Sequence, residues 1–294
     1  MNRGFTLLAL LVLLTSTARA QAPSPLLVDA GWLSQHLTDG GLVVLHVGGK
    51  AEYDAGHIQG ARYISEEDVA RPHDMSKGEL MLELPPIEEL RAKVASFGIS
   101  DDSRIVVYFG KTGAVQSSTR IIYTLDYLGL GDHTSLLNGG LPAWTRAGGA
   151  TTAAVPPAAR GTLAAKPPKP VVVDADFVKS IPSRQNYKLV DARAPVFYNG
   201  TEPTMNGLRG HIPGAVNIPF TQITDDNQTI DRARVAALFA AAGIKPGDTV
   251  VAYCHVGQQG TAVVFGARLL GNPVVLYDGS FQDWAVNKRG PVEK

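Results

Sequence analysis

Short β-branched runs alternate along this chain with longer stretches whose apolar residues recur at helical spacing. Gly41-Leu42-Val43-Val44-Leu45-His46-Val47, Arg104-Ile105-Val106-Val107-Tyr108, Lys188-Leu189-Val190-Asp191 and Thr249-Val250-Val251-Ala252-Tyr253 have the pattern of buried strands. Between them the spacing predicts helices. One starts at Asp29, a side chain suited to capping, ahead of Trp32, Leu33 and Leu37. Others run over Ile87–Phe97, Gln116–Leu128 and Thr261–Leu270. Strands that alternate with helices predict α/β units, each a parallel sheet flanked by helices.

The second half of the pattern repeats the first. Gly56-His57-Ile58-Gln59-Gly60-Ala61 returns as Gly210-His211-Ile212-Pro213-Gly214-Ala215, and the strand ending at Tyr108-Phe109 returns as the one ending at Tyr253-Cys254. Asn138 to Trp144 returns as Asp278 to Trp284. These matches keep their order and similar offsets, which makes the chain a tandem duplication of one unit. Residues 150–170 carry Pro156, Pro157, Pro167, Pro168 and Pro170 without hydrophobic periodicity, the pattern of an extended connection. The expected organisation is a leader over 1–20, a first domain over 21–152, a proline-rich linker over 153–170 and a second domain over 171–294.

Length and charge narrow the class. At 294 residues there is room for two domains of ordinary size, and 27 basic residues balance 27 acidic ones. No basic footprint for nucleic acid is present. The first residues differ from the rest: Arg3, an apolar run from Phe5 to Leu14, then Ala18-Arg19-Ala20. That is the pattern of a signal peptide cut after Ala20, too short in its apolar part to span a bilayer comfortably. It predicts a periplasmic or secreted protein with no membrane contact after cleavage. A monomer is expected.

Cys254 is the only cysteine in the chain. It can form no internal disulfide and no cysteine-based metal site, and the histidine spacings suggest no metal centre. It stands where a strand stops and a helix is about to begin, followed by His255-Val256-Gly257-Gln258-Gln259-Gly260. Backbone N–H groups in such a loop, with the helix N-terminus behind them, favour a thiolate, which is the nucleophilic form. A lone cysteine can equally be an inert buried residue. Export of a free thiol into an oxidising compartment favours use of its reactivity.

These residues together resemble the tandem-domain rhodaneses, the thiosulfate and 3-mercaptopyruvate sulfurtransferases. The resemblance rests on the duplication, on Asp191-Ala192-Arg193 after an early strand, on Gly210 to Ala215, on a cysteine loop in the second half only, and on the closing Trp144 and Trp284. It covers essentially the whole mature chain. It implies that Cys254 is the catalytic nucleophile and Phe109 its lost counterpart. The thiolate would take the outer sulfur of thiosulfate or a related small-molecule donor, with 3-mercaptopyruvate as the alternative, release sulfite or pyruvate, and pass the sulfur from a persulfide to cyanide or a thiol. It implies no cofactor. The loop His255, Val256, Gly257, Gln258, Gln259 and Gly260 would bind the transferred sulfur, with Arg193 as a further substrate-binding candidate or one half of a structural ion pair with Asp191.

Two positions depart from the family. Thiosulfate-specific relatives follow the cysteine with two basic residues and mercaptopyruvate-specific ones with small residues; His255-Val256 is neither. Phe197 stands where an arginine usually binds the anionic donor. With an ordinary pKa of about 6.5, His255 would supply partial charge, so thiosulfate use is expected to improve from pH ~8 to ~6. Lys111 or Arg62 of the first half would be alternative sources of charge across the interface. His57 and His211, kept in both halves, are expected to be structural. A phosphatase of the related Cys-x5-Arg type is disfavoured because Gly260 stands where its arginine is needed. A sulfur-carrier or binding module without turnover is the third alternative, separated from an enzyme by thiocyanate formation from thiosulfate and cyanide.

Overall fold

The computed structural model describes residues 24–158, 160–204 and 207–294. Residues 1–20, expected to be a signal peptide, lie outside the described residues. The first half runs β1 (Leu27–Val28), α1 (Ala30–His36), β2 (Leu42–Val47), α2 (Lys50–Ala55), β3 (His57–Ile58), β4 (Arg62–Ile64), α3 (Ile87–Ser96), β5 (Arg104–Phe109), α4 (Val115–Tyr127), β6 (Thr134–Leu137), α5 (Gly140–Arg146) and β7 (Thr151–Thr152). The second half runs β8 (Val172–Val173), α6 (Ala175–Ser180), β9 (Tyr187–Asp191), α7 (Pro195–Tyr198), β10 (Val216–Asn217), α8 (Arg232–Ala241), β11 (Thr249–Tyr253), α9 (Gly260–Leu270), β12 (Val274–Tyr277) and α10 (Ser280–Val286).

Each half is built on a five-stranded sheet whose pairings are all parallel, in the orders β1-β6-β5-β2-β4 and β10-β9-β11-β12-β8. The two orders are the same arrangement read from opposite edges. The central strands, β5 and β11, are almost wholly buried, which is why they read as continuous apolar runs rather than alternating ones. Asp29 caps α1 as its sequence suggests, accepting from the Trp32 N–H at 2.7 Å.

Apolar side chains of both halves merge into one core in which α4 packs on α9, with Ile121, Ile122, Val263 and Val264 all buried. The halves are thus one packed body, held by burial of about 1.5–3 kcal/mol for each large apolar side chain.

Among its described residues the segment between β7 and β8 contains no helix, but it is pinned to the first half. Gly161 N–H donates to Ala95 O at 2.8 Å, Ala164 N–H to the Asp101 carboxylate at 2.8 Å and Lys169 N–H to Tyr127 O at 2.9 Å. A β-carbon on Gly161 would collide with the Ile99 backbone, so glycine is what lets the strap lie this close.

Paired tyrosines and histidines fix the correspondence between halves. Tyr53 stacks on His57 and Tyr198 on His211, each pair at 3.9 Å between ring centres. The Nδ1 atoms of His57 and His211 donate to the backbone carbonyls of Tyr53 (2.7 Å) and Tyr198 (2.9 Å). Both histidines are therefore anchors of the turn.

Candidate active site

Cys254 follows the last residue of β11 and is fully buried. The chain then loops through residues 255–259 and enters α9 at Gly260. Gly257 has φ +80°, and a β-carbon there would come within 2.6 Å of Asp278 O, so only glycine allows this turn. The loop closes on the sulfur: the N–H groups of Gly260, Val256, Gly257 and Gln259 donate to it. Burial pushes the Cys254 thiol above its ordinary pKa, and these hydrogen bonds oppose the shift without cancelling it. Burial thus disfavours negative charge on the sulfur, while the ring of donors is aimed at it.

Ser280 completes the lower wall. Its Oγ accepts from Cys254 N–H at 3.2 Å and donates to Tyr277 O at 2.9 Å, while Phe281 N–H donates to Cys254 O at 3.0 Å. Ser280 has φ +53°, a strained conformation for a residue with a side chain, and its counterpart in the first half is Gly140.

Asp191 and Arg193 form a fully buried pair, with Nε at 3.0 and 3.1 Å and Nη2 at 2.5 Å from the carboxylate. Nη2 also donates to Gly210 O at 2.8 Å, and the guanidinium lies 3.9 Å over the Phe281 ring. Only Nη1 is left, buried and without a partner.

His255 does not carry the charge expected from its ordinary pKa. Burial, aided by the Arg193 charge and opposed by Asp191, lowers its pKa to about 4. Its ring packs edge-on against Phe197 at 4.7 Å between centres. An apolar aromatic pair thus occupies the place where cations were sought. The pH dependence reverses with it. His255 is neutral throughout the neutral range, whereas the thiolate population grows as pH rises toward the elevated pKa of Cys254. For a donor of constant charge, kcat/KM is expected to climb from pH ~6 to ~9 without an inflection near 6.5. A pre-steady-state profile falling over that interval would contradict this assignment of charges.

The first-half cation that reaches the cysteine loop across the interface is Arg120 of α4; neither Lys111 nor Arg62 takes that role. Arg62 turns to the strap, donating to Pro157 O at 3.0 Å, and Lys111 is exposed. Arg120 is fully buried, pairs with Asp278, and donates to Gly257 O at 3.1 Å and to Leu82 O. It therefore fixes the carbonyl of a residue whose N–H faces the sulfur. Gln258 reaches the other way: its Nε2 donates to Glu66 at 2.8 Å and to Ser117 at 3.3 Å. Burial raises the pKa of Glu66. A cavity of about 530 Å³ adjoins this side of the loop, between Val256 and Gln258 and the first half's Glu66, Arg71, Met81 and Leu82. The sequence signal for Arg120 was a basic residue directly before Ile121 and Ile122, in a helix whose only other charged residue is Asp126.

Among the described residues, no group of three or more His, Cys, Asp or Glu stands together to hold a metal ion, and no helix is long and apolar enough to cross a membrane.

Fold and site together define a duplicated parallel α/β protein with one cysteine enclosed by backbone donors. The model of the rhodanese-like domain matches residues 29–147 and 174–287, and the chain belongs to the rhodanese family of sulfurtransferases. It is 32% identical over 249 residues to a probable 3-mercaptopyruvate sulfurtransferase of Pseudomonas aeruginosa, covering 83% of this chain and 86% of that one. It is 30% identical over 253 residues to a putative thiosulfate sulfurtransferase, SseB, of Mycobacterium tuberculosis, covering 83% and 85%. The crystal structure of SseA from Escherichia coli, described as a 3-mercaptopyruvate sulfotransferase, superposes with a TM-score of 0.74 at 25% identity, covering 87% of this chain and 99% of that one.

Proposed function

We propose that this protein moves a sulfane sulfur from a small-molecule donor to a thiophilic acceptor through a persulfide on Cys254. The observation that carries this is the ring of four N–H donors around the only sulfhydryl of the chain. The thiolate attacks the donor's outer sulfur, a new S–S bond forms, and the leaving group departs with the electron pair of the broken bond. That group is sulfite from thiosulfate, or pyruvate from 3-mercaptopyruvate once its carbon takes up a proton. A thiol or cyanide then attacks the outer sulfur and returns Cys254 as the leaving thiolate. The donors of Val256, Gly257, Gln259 and Gly260 stabilise negative charge on the sulfur at both steps. Export, on the strength of residues 1–20, is part of this proposal and places the transfer in the periplasm or outside the cell.

The charges around the loop support one donor over the other. Thiosulfate is a dianion, and the loop meets it with a neutral His255 and with Phe197. Arg193 and Arg120 are both engaged by aspartates, with only the buried Nη1 of Arg193 unpartnered, and Arg71 in the adjoining cavity pairs with Glu83. Thiosulfate is therefore a donor of high KM, and 3-mercaptopyruvate, carrying one negative charge, is the alternative this balance favours. A donor panel read as thiocyanate formation, comparing kcat/KM for the two, tests the proposal; no thiocyanate from either donor would leave a binding module without turnover. Phe197→Arg is expected to restore one charge-assisted hydrogen bond to the dianion, about 1.5–3 kcal/mol, and so improve thiosulfate kcat/KM roughly 10- to 100-fold, mainly through KM. Unchanged KM in that variant would remove Phe197 from the donor site.

A further inference from the structure

The loop after β5 in the first half is the counterpart of the cysteine loop, and it already holds an anion of the protein's own. Phe109 stands for Cys254, Lys111 for Val256 and Thr112 for Gly257, each pair 145 residues apart. In the second half the Val256 and Gly257 N–H groups donate to sulfur. In the first half the equivalent N–H groups, those of Lys111 and Thr112, donate to the Glu52 carboxylate, the latter at 3.1 Å, and Thr112 Oγ1 adds a bond of 2.6 Å. Glu52 precedes Tyr53 as Phe197 precedes Tyr198, so the residue that shields His255 in one half is the plug in the other. Gly110 makes room: a β-carbon there would lie 2.6 Å from the carboxylate, and the second half has His255 at this position.

A second, independent feature points to an anion. His46 is fully buried, and its Nε2 has no partner. Tyr108 Oη already accepts from Ile58 N–H (3.1 Å) and is hydrogen-bonded to His46 Nδ1 (3.1 Å), and we assign the Tyr108 hydrogen to this second bond. The proton of His46 then sits on Nε2. The point where a β-carbon of Gly48 would stand is 3.4 Å from that nitrogen and 3.5 Å from Gly110 N, so this unused donor lies beside the first residue of the same loop. Lys111 and Thr112 are exposed, which opens the loop to solvent.

We propose that the loop over 110–115 is a second oxyanion site, suited to a small tetrahedral anion such as sulfate or thiosulfate, and that Glu52 closes it from within. The plug limits the chain to one donor-binding half. Removing the carboxylate frees two N–H groups and a hydroxyl whose geometry is fixed by β5 and α4, and an oxyanion takes its place.

The test uses the full chain with Cys254→Ser, so that no sulfur is transferred, and compares Glu52 with Glu52→Ala and Glu52→Gln. Sodium sulfate and sodium thiosulfate are titrated at constant ionic strength, and the amide resonances of Lys111 and Thr112 are followed by NMR. The expected result is a saturable shift of both amides in Glu52→Ala, with affinity at least about tenfold above the Glu52 protein. Glu52→Gln, which keeps the shape and loses the charge, should fall between them. Equal binding with and without Glu52, or folded variants whose Lys111 and Thr112 signals do not respond, would overturn the proposal. Should Glu52→Ala not fold, the Glu52→Gln comparison decides on the same two signals. A failure of sulfur transfer at Cys254 would leave this outcome unaffected, because the readout lies in the other half.

Discussion

Cys254→Ser is expected to reduce sulfur transfer by at least about a thousandfold, to the level of the uncatalysed reaction. Serine keeps the size and the hydrogen-bonding ring, but its oxygen is a weak nucleophile toward sulfane sulfur and forms no persulfide. No second thiol exists in the chain to take over. Stability should change by less than about 1 kcal/mol, because a hydroxyl accepts from the loop N–H groups that surround the sulfur. The loss is therefore chemical. Stopped-flow turnover and urea denaturation of the same preparation separate the two effects. Residual turnover near the wild-type rate would mean that sulfur passes elsewhere.

The second large effect is expected at Arg120. Its guanidinium is buried against Asp278, whose side chain is only 10% exposed, and it joins the two halves beside the loop. Arg120→Met leaves the Asp278 carboxylate buried without its cation and frees the Gly257 carbonyl. Breaking a buried pair from one side costs about 3–5 kcal/mol. The Gly257 N–H shares a residue with that carbonyl, so loosening one disorders the other, and kcat should fall roughly 10- to 100-fold. Arg120→Met with Asp278→Leu should recover most of the stability, since no uncompensated charge remains, while the loop stays loose and kcat stays low. Urea midpoints and single-turnover rates on both variants check this. A single variant as stable as wild type would show that the pair contributes nothing to joining the halves.

How much of this was legible in the sequence depends on how local each feature is. The four buried strands announced themselves as β-branched runs, because a parallel sheet covered on both faces asks for apolar residues at every position. The duplication was visible because His57 and His211 anchor the same turn in both halves, and Trp144 and Trp284 each donate Nε1–H to a backbone carbonyl a few residues on, that of Ala150 and that of Pro291. The cysteine loop was visible because its chemistry lies in consecutive residues.

The features that were missed depend on distance or burial. Arg120 meets Gly257 across 137 positions, and only the packing of α4 on α9 brings them together. The basic residues that sequence pattern offered, Lys111 and Arg62, failed because one is exposed and the other turns to the strap. His255 was assigned the pKa of a solvated histidine, and its enclosure by Phe197 removes that charge. The thiol was expected to be acidified by its loop. Complete burial outweighs four hydrogen bonds, so its pKa moves the other way. Glu52 was passed over because an exposed-looking acid on a short helix carries no sign that it folds back into a loop nearly sixty residues on.

The account stands on sulfur being carried covalently by Cys254. Its most direct test is the intact mass of the full chain after incubation with thiosulfate or 3-mercaptopyruvate and removal of excess donor, followed by peptide mapping. The predicted result is a gain of one sulfur atom, located on the peptide containing Cys254, abolished by Cys254→Ser and reversed on adding cyanide or a thiol with release of thiocyanate or a new persulfide. An unmodified mass under conditions where thiocyanate is being formed would contradict it.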